Sequence, residues 1–381
     1  MGNKLCPRLT RKPPPAVKTT IITPPQSCDT YELVVDHGTG ETKVYKITNQ
    51  SVPSPYARPV LHVPGKSPPV RIHITVPEIT EIAKWGPLTD DLGDITSAKQ
   101  KILTSIEPYV TASNLFIGTT AWHRNAEPSV KEQADLYLQE MAFTTQDTGI
   151  NTGVSCLSGD QEALYEATAV CFAARIVGIP PPTIIVSSGG GSFQLSVNNP
   201  LTGWQSTSYN IGFREGIDIL NTDGTNDVKL KALRDKTKLA IADMDSFITT
   251  NLPSFSGLHQ LRIVAISASF HAAKAASIQT GVSAVTIDTC VNSLSKTTRA
   301  TDMDTETYES VDDKSLQTVA NSVIQHEIFS AIKKTCVDTY NITDPSSPGM
   351  RIHFCRDFIV DGVEFRCSWP MGKYLIDHKL I

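Results

Sequence analysis

The chain has 381 residues, 40% of them hydrophobic and 19% charged, with a formal net charge of −5. That length exceeds a typical single core and predicts two lobes or domains. The charge balance gives no reason to expect nucleic-acid binding, and no apolar run approaches the ~18 residues of a membrane span.

The first 26 residues carry Lys4, Arg8, Arg11, Lys12 and Lys18 and no acid, and half of the 24 prolines fall within the first 70 residues. The segment lacks the apolar core of a secretory signal. Gly2 after Met1, with Cys6 close behind, suggests N-myristoylation, although the usual Ser/Thr at position 6 is absent. One acyl chain holds a membrane marginally; palmitoylation of Cys6 or the basic cluster on anionic lipid would supply the second attachment. The other reading of residues 1–30 is a proline-stiffened disordered tail. The expected location is cytoplasmic, peripheral on the inner face of a membrane if the tail is lipidated. The eight cysteines show no CxxC and no zinc spacing with histidine, and are read as reduced.

From residue 31 the elements follow in order. "YELVVDHGTGETKVYKI" predicts a β-hairpin, "PPVRIHITVPEI" a strand, "SAKQKILTSIEPYV" a helix, and "NLFIGTTAW" a short buried strand running into a loop. "PSVKEQADLYLQEMAF" predicts an amphipathic helix with Pro128 in its first turn. Ser158 and Gln161 form a capping box that starts a helix near Gly159. "PTIIVSSGGGSFQLSV" repeats the opening design of apolar strand, glycine-rich turn and alternating strand. "NDVKLKALRDKTKLAIADMDSFI" reads as one helix, "RIVAISASFHAAKAASI" as a strand or helix entering a helix, and "DKSLQTVANSVIQHEIFSAIKKTC" as a helix. Residues 351–376 close the chain with short strands and a helical turn. Alternating strands and helices in two halves favour α/β.

The two glycine hairpins carry the candidate chemistry. Glycines permit positive φ and let backbone N–H groups approach a ligand; successive N–H groups make an anion nest. Gly38, Gly40, Gly189, Gly190 and Gly191 would supply the nests, with hydroxyls from Thr39, Thr42 and Ser192. One such hairpin is an ordinary turn. Two, each entered from an apolar strand, exceed what turns require and would grip a polyphosphate from both sides. Asp36 beside phosphates needs a divalent cation between, and hard oxygen ligands suit Mg²⁺ or Ca²⁺. Glu162 sits in the first turn of its helix, where the dipole favours an ionised carboxylate, the form a general base requires; a helix-stabilising acid is the alternative. His123, Lys231–Lys238, Tyr209 and Phe213 read mainly as structural or solvated. No G-x-x-x-x-G-K-[ST] loop occurs.

The order of these motifs resembles the apyrase, or nucleoside di- and triphosphatase, family, with exopolyphosphatases as more distant relatives. "VVDHGTGETKVY" looks like the family's first phosphate-binding segment. "IGTTAWHRNA" resembles its second, with Gly118, Thr120, Ala121 and Arg124 in register. "LSGDQEALYEATAV" is similar to the third, and "VSSGGGSFQLSV" to the fourth, with Gly189, Gly190, Ser192 and Gln194 matching. Trp369 and Gly372 resemble the closing segment. The resemblance implies a two-lobed actin-like (ribonuclease H-like) ATPase fold with a central cleft. Lobe I would take residues 31–155 plus 346–381 and lobe II residues 156–345. It implies metal-dependent hydrolysis of a nucleoside polyphosphate. Glu162 would act as base on a water that Ser192 and Gln194 orient, Thr120 and the nests would bind phosphate, Arg124 would neutralise charge near the leaving group, and Asp36 would hold Mg²⁺ or Ca²⁺ through water. Ser187 stands where the family's fourth segment opens with aspartate, a second anchor for the metal's water shell. No neighbouring acid in the sequence compensates, so metal affinity and turnover should fall. An impaired nucleotide-binding scaffold or sensor, and an exopolyphosphatase, are the alternative readings.

Overall fold

A computed structural model describes residues 30–53, 73–109, 111–146, 149–178, 181–199, 201–252, 261–266, 284–296, 313–340, 350–354, 357–360 and 363–381. The N-terminal tail, with Gly2 and Cys6, and the helix expected after residue 266 lie outside the described residues. Among the described residues no helix is long and apolar enough to cross a membrane.

Strand β1 (Tyr31–His37) turns back into β2 (Thr42–Pro53), and β3 (His73–Trp85) pairs antiparallel beyond it. Two strands parallel to β1 complete the first sheet: β4 (Asn114–Thr119) and β5 (Asn151–Cys156). The order is β3-β2-β1-β4-β5. Helices α1 (Ile95–Ile106), α2 (Ala121–Arg124) and α3 (Pro128–Gln146) lie within this half. α3 places Ala134, Tyr137, Leu138 and Met141 on one buried stripe at helical spacing, against Leu33, Val35, Leu115 and Ile117 of the sheet.

The second sheet repeats the plan. β6 (Ile184–Ser188), β7 (Phe193–Asn199) and β8 (Gly203–Tyr209) form an antiparallel meander. β9 (Leu261–Ala265) joins β6 in parallel, β11 (Met350–Phe354) joins β9 in parallel, and β10 (Ala284–Thr286) adds an antiparallel edge. Its order, read from the meander, is β8-β7-β6-β9-β11 with β10 outside. The five shared positions match those of the first sheet in sequence order and direction.

Helices α5 (Phe213–Leu220), α6 (Asn226–Ala240), α7 (Met244–Asn251), α8 (Ile287–Lys296) and α9 (Asp313–Tyr340) belong to this half. The single helix expected over 226–248 is two, broken at Ile241–Asp243. Leu316, Ala320, Val323, Ile324, Ile328, Phe329 and Ile332 of α9 are all buried in the second core.

Helix α4 (Gly159–Val177) leaves the first sheet and packs between the halves. One apolar cluster joins Val34, Tyr45 and Ile47 of the first sheet to Ile185 and Val264 of the second, through α4, the hairpin strand β13 (Val363–Arg366) and the final helix α10 (Trp369–Asp377). β13 pairs with β12 (Asp357–Val360). The segment 346–381 is therefore split, a correction to its assignment to lobe I. Met350–Phe354 belongs to the second sheet, because its register along β9 buries Ile352 in the second core. Only the later part returns to the middle layer. There α4 and α10 approach so closely that a Cβ on Gly372 would lie 1.7 Å from the carbonyl oxygen of Tyr165.

Candidate functional site

The two glycine turns have the same construction. In each, two residues close the hairpin: Thr39–Gly40 between Gly38 and Glu41, and Gly190–Gly191 between Gly189 and Ser192. The closing bonds run from the Gly38 N–H to the Glu41 carbonyl (3.0 Å) and from the Gly189 N–H to the Ser192 carbonyl (2.9 Å). The amides of Thr39, Gly40, Gly190 and Gly191 take no part in these bonds. None of these glycines has a positive φ, which corrects the sequence argument. At Gly190 and Gly191 what disfavours a side chain is proximity across the cleft. A Cβ on Gly191 would lie 2.6 Å from Thr39 Oγ1, and one on Gly190 would lie 3.1 Å from Thr39 Cβ. The tip of the first hairpin thus rests on the turn of the second. Behind the second turn, the N–H groups of Phe213 and Arg214 at the start of α5 donate to the carbonyls of Gly189 (3.3 Å) and Gly190 (3.0 Å).

Between the halves lies a cavity of about 500 Å³, lined by residues from both hairpins, from α4 and from the segment before α10. Asp36, Gly38, Thr39, Gly40, Thr120, Glu162, Ser187, Gly189, Gly190, Gly191, Ser192 and Gln194 all face it. Two expected residues do not. Thr42 is fully buried with its hydroxyl 2.9 Å from His37 Nδ1, because alternation along β2 turns it away from Lys43, which does face the cavity. Arg124 is not among the lining residues either. Its Nη1 donates to Glu162 Oε2 (3.0 Å) and to the Leu157 carbonyl (2.7 Å). Gly118 serves packing: a Cβ there would lie 2.6 Å from the Trp369 ring. Tyr209 is buried and stacked on Phe193, His123 is buried with Nδ1 2.7 Å from Thr119 Oγ1, and Phe213 borders the cavity.

Glu162 owes its place to the capping box. Ser158 Oγ accepts from the Gln161 N–H (3.1 Å) and Gln161 Oε1 from the Ser158 N–H (3.0 Å), fixing the first turn of α4. The start of that helix lies so close to β8 that a Cβ on Gly159 would be 2.1 Å from Ser208 Cβ. Glu162 is 9% exposed. Burial raises its pKa, and the Arg124 guanidinium opposes the rise. Asp36 is raised to about 7, chiefly by burial; Lys43 and the Trp369 side chain pull it down, and Glu162 adds to the rise. Gln194 Nε2 donates to Ser192 Oγ at 2.5 Å, so these two act as one polar unit.

Sequence reasoning missed Glu166. It lies one turn beyond Glu162, lines the same cavity, and its Oε1 accepts from Ser187 Oγ at 3.1 Å. An acid does reach Ser187, contrary to the expectation. The i, i+4 spacing from Glu162 was the available signal. Burial raises the Glu166 pKa well above the carboxylate range, and the charges of Glu162 and Asp36 add to it. Lys43, Arg214 and Arg366, also unassigned from sequence, bring positive charge to the rim; Arg214 Nη2 lies 3.5 Å from the Gly40 carbonyl.

The donor set fits a hydrated divalent cation. Asp36 Oδ1 and Glu166 Oε2 are buried and have no hydrogen-bond partner, an arrangement that costs free energy unless a proton or cation joins them. Among the described residues no three His, Cys, Asp or Glu side chains form a ready-made metal cage.

No known family's profile matches the sequence, and no curated protein matches it. Among solved structures, the chain is similar to an exopolyphosphatase-like protein, with TM-score 0.55 and 13% identity over 92% of this chain and 100% of that one. It is also similar to the Ppx/GppA family member of Aquifex aeolicus, with TM-score 0.51 and 10% identity over 92% and 98%. Likeness at such identities is likeness of fold. The chain has the α/β, two-lobed actin-like ATPase fold with a cleft between its lobes.

Proposed function

We propose that the chain is a divalent-cation-dependent phosphohydrolase that removes the terminal phosphoryl group of a nucleoside di- or triphosphate bound in the interlobe cavity. One observation carries the reading: a two-residue glycine hairpin from each half and the Glu162 carboxylate line the same cavity of about 500 Å³.

In this reading, the turn amides left out of the closing bonds, with the Thr39 and Thr120 hydroxyls, bind phosphate oxygens as an anion nest. Glu162 takes the proton from the attacking water, and its raised pKa makes it a stronger base near neutrality. Ser192, held by Gln194, orients that water. Arg124 acts through Glu162, keeping enough of the buried carboxylate ionised to accept a proton. Asp36 holds Mg²⁺ or Ca²⁺, whose charge would offset that developing on the phosphoryl oxygens. Catalysis of this type is positioning and electrostatic stabilisation.

The test is phosphate release from ATP, ADP and GTP with Mg²⁺ or Ca²⁺, with Glu162→Gln as control. Release should fall ~10²–10⁴-fold in the variant, while nucleotide binding persists. Equal rates would remove Glu162 as the base. A second reading, exopolyphosphatase activity, has support from the names of the similar solved structures. Long-chain polyphosphate as the preferred substrate in the same assay would select it. Nucleotide binding without release from any substrate would instead indicate a scaffold or sensor.

A further inference from the structure

The two halves differ at one position that matters for charge. In the first hairpin, Asp36 lies opposite Lys43, two residues before Gly38. In the second, Ser187 lies opposite Gln194, two residues before Gly189. The internal repeat therefore puts a carboxylate on one side of the cavity and a hydroxyl at the equivalent place on the other. That hydroxyl is committed: Ser187 Oγ donates to Glu166 Oε1 at 3.1 Å. The Glu166 carboxylate is thereby held at the mouth of the second hairpin by an element, α4, that belongs to neither hairpin.

Asp36 and Glu166 both line the shared cavity, and each carries one orphaned oxygen. Asp36 Oδ1 and Glu166 Oε2 are both buried and both without a hydrogen-bond partner. The cations around these two acids have partners of their own: Arg124 pairs with Glu162, Lys43 with Glu41 and Arg366 with Glu81, and Arg214 Nη2 lies 3.5 Å from the Gly40 carbonyl. If Glu166 served only to tie α4 to β6, its amide counterpart would do so without introducing an acid whose second oxygen is buried. One oxygen held by Ser187 and one without a partner, on a residue that lines the cavity, are what a residue that aims a ligand requires.

We infer that Glu166 is the second acidic anchor of the cavity's divalent cation, opposite Asp36, and that Ser187 is the positioning residue that aims it. The carboxylate missing from β6 has been relocated to α4. This rests on the cation-dependent reading proposed above, and it reverses the expectation that Ser187 weakens metal binding.

The test uses Mn²⁺ as the probe ion, titrated into the full chain with and without a non-hydrolysable ATP analogue. Free Mn²⁺ is followed by its electron paramagnetic resonance signal. Glu166→Gln keeps the acceptor for Ser187 and removes the charge; its Mn²⁺ affinity should fall at least tenfold, and Ser187→Ala should lower it less. The double variant Glu166→Gln/Ser187→Asp returns a carboxylate to β6 and should recover most of the affinity. Melting in chelator checks that each variant folds. Should Glu166→Gln not fold, the double variant decides: recovered folding and Mn²⁺ binding support the inference, and their absence overturns it. Mn²⁺ binding unchanged in Glu166→Gln but lost in Asp36→Asn would overturn the role of Glu166 while leaving the cation site standing. If the unaltered chain takes up no Mn²⁺ even with the analogue, both readings fall.

Discussion

Replacing Asp36 with asparagine should make the metal-free protein more stable at neutral pH and leave it nearly unchanged in acid. In the folded chain Asp36 titrates at about 7, against 3.8 for an ordinary aspartate. Below about pH 4 the side chain is protonated in both states and contributes nothing to the difference. As pH rises from about 4 to 7, the unfolded chain releases a proton that the folded chain retains, so stability falls; above about 7 the loss is complete. At about 1.4 kcal/mol per pH unit, that interval corresponds to about 4 kcal/mol, a ceiling because the charge of Glu162 contributes to the rise. His37 complicates the unaltered profile. It is buried between Thr42 and Tyr137, with its pKa lowered to about 3, so its contribution to stability is lost as pH falls from about 6.5 toward 3. The two residues leave opposite faces of β1, and the His37 contribution cancels when variant and parent are compared at each pH. The assay is urea unfolding of both proteins in chelator from pH 4.5 to 8. The stability difference should grow with pH in favour of Asp36→Asn, and saturating Mg²⁺ should shrink it. A difference that stays flat across this range would refute an Asp36 that titrates near neutrality in the folded chain.

Other substitutions probe the remaining parts. Arg124→Gln removes the cation that opposes the rise in the Glu162 pKa, so the acid limb of the pH–rate profile should move to higher pH. An unshifted limb would detach Arg124 from the titrating base. Gly372→Ala places a methyl carbon against the Tyr165 carbonyl and should cost about 3 kcal/mol or more in unfolding free energy, since main chain cannot yield as a side chain can; a loss below 1 kcal/mol would contradict the close packing of α10 on α4. Gly191→Ala sets a Cβ against Thr39 Oγ1 and should lower the melting temperature, with Thr39→Ala in the same chain recovering part of it. No recovery would argue against contact between the two turns.

Local patterns in the sequence carried much of this architecture. The capping box at Ser158, the buried stripe of α3 and the strand–turn–strand repeats depend on residues close together in the chain, and each forms as its spacing predicts. β8 and α5 went unread because "GWQSTSY" is polar and half-exposed along most of its length, and α5 begins without a capping side chain. The Glu166–Ser187 contact joins elements 21 residues apart through a helix that crosses between lobes. No periodicity shows such a bond, although the spacing of Glu166 from Glu162 places both on one face of α4. Arg124 went astray for a related reason: motif register gives its position in the chain, while the direction of its side chain depends on the buried carboxylate it neutralises.

The internal repeat then becomes informative through its differences. Both hairpins have the same two-residue loop and closing bond, so the backbone offers similar amides on either side of the cavity. The side chains at equivalent positions diverge: Asp36 against Ser187, Glu41 against Ser192, Lys43 against Gln194. The first half places ionisable groups where the second places neutral donors and acceptors. α4 offsets the imbalance with two carboxylates one turn apart, Glu162 beside Arg124 and Glu166 beside Ser187. On the proposed reading that helix sets the chemistry, because it carries the proton acceptor and one of the two cation anchors. Its attachment through Gly372 to α10 would then affect the site without touching any ligand. Gly372→Ala should accordingly weaken Mn²⁺ binding as well as folding. Full retention of Mn²⁺ affinity in a folded but destabilised variant would mean that the carboxylates of α4 are positioned locally, by Ser158, Arg124 and Ser187 alone.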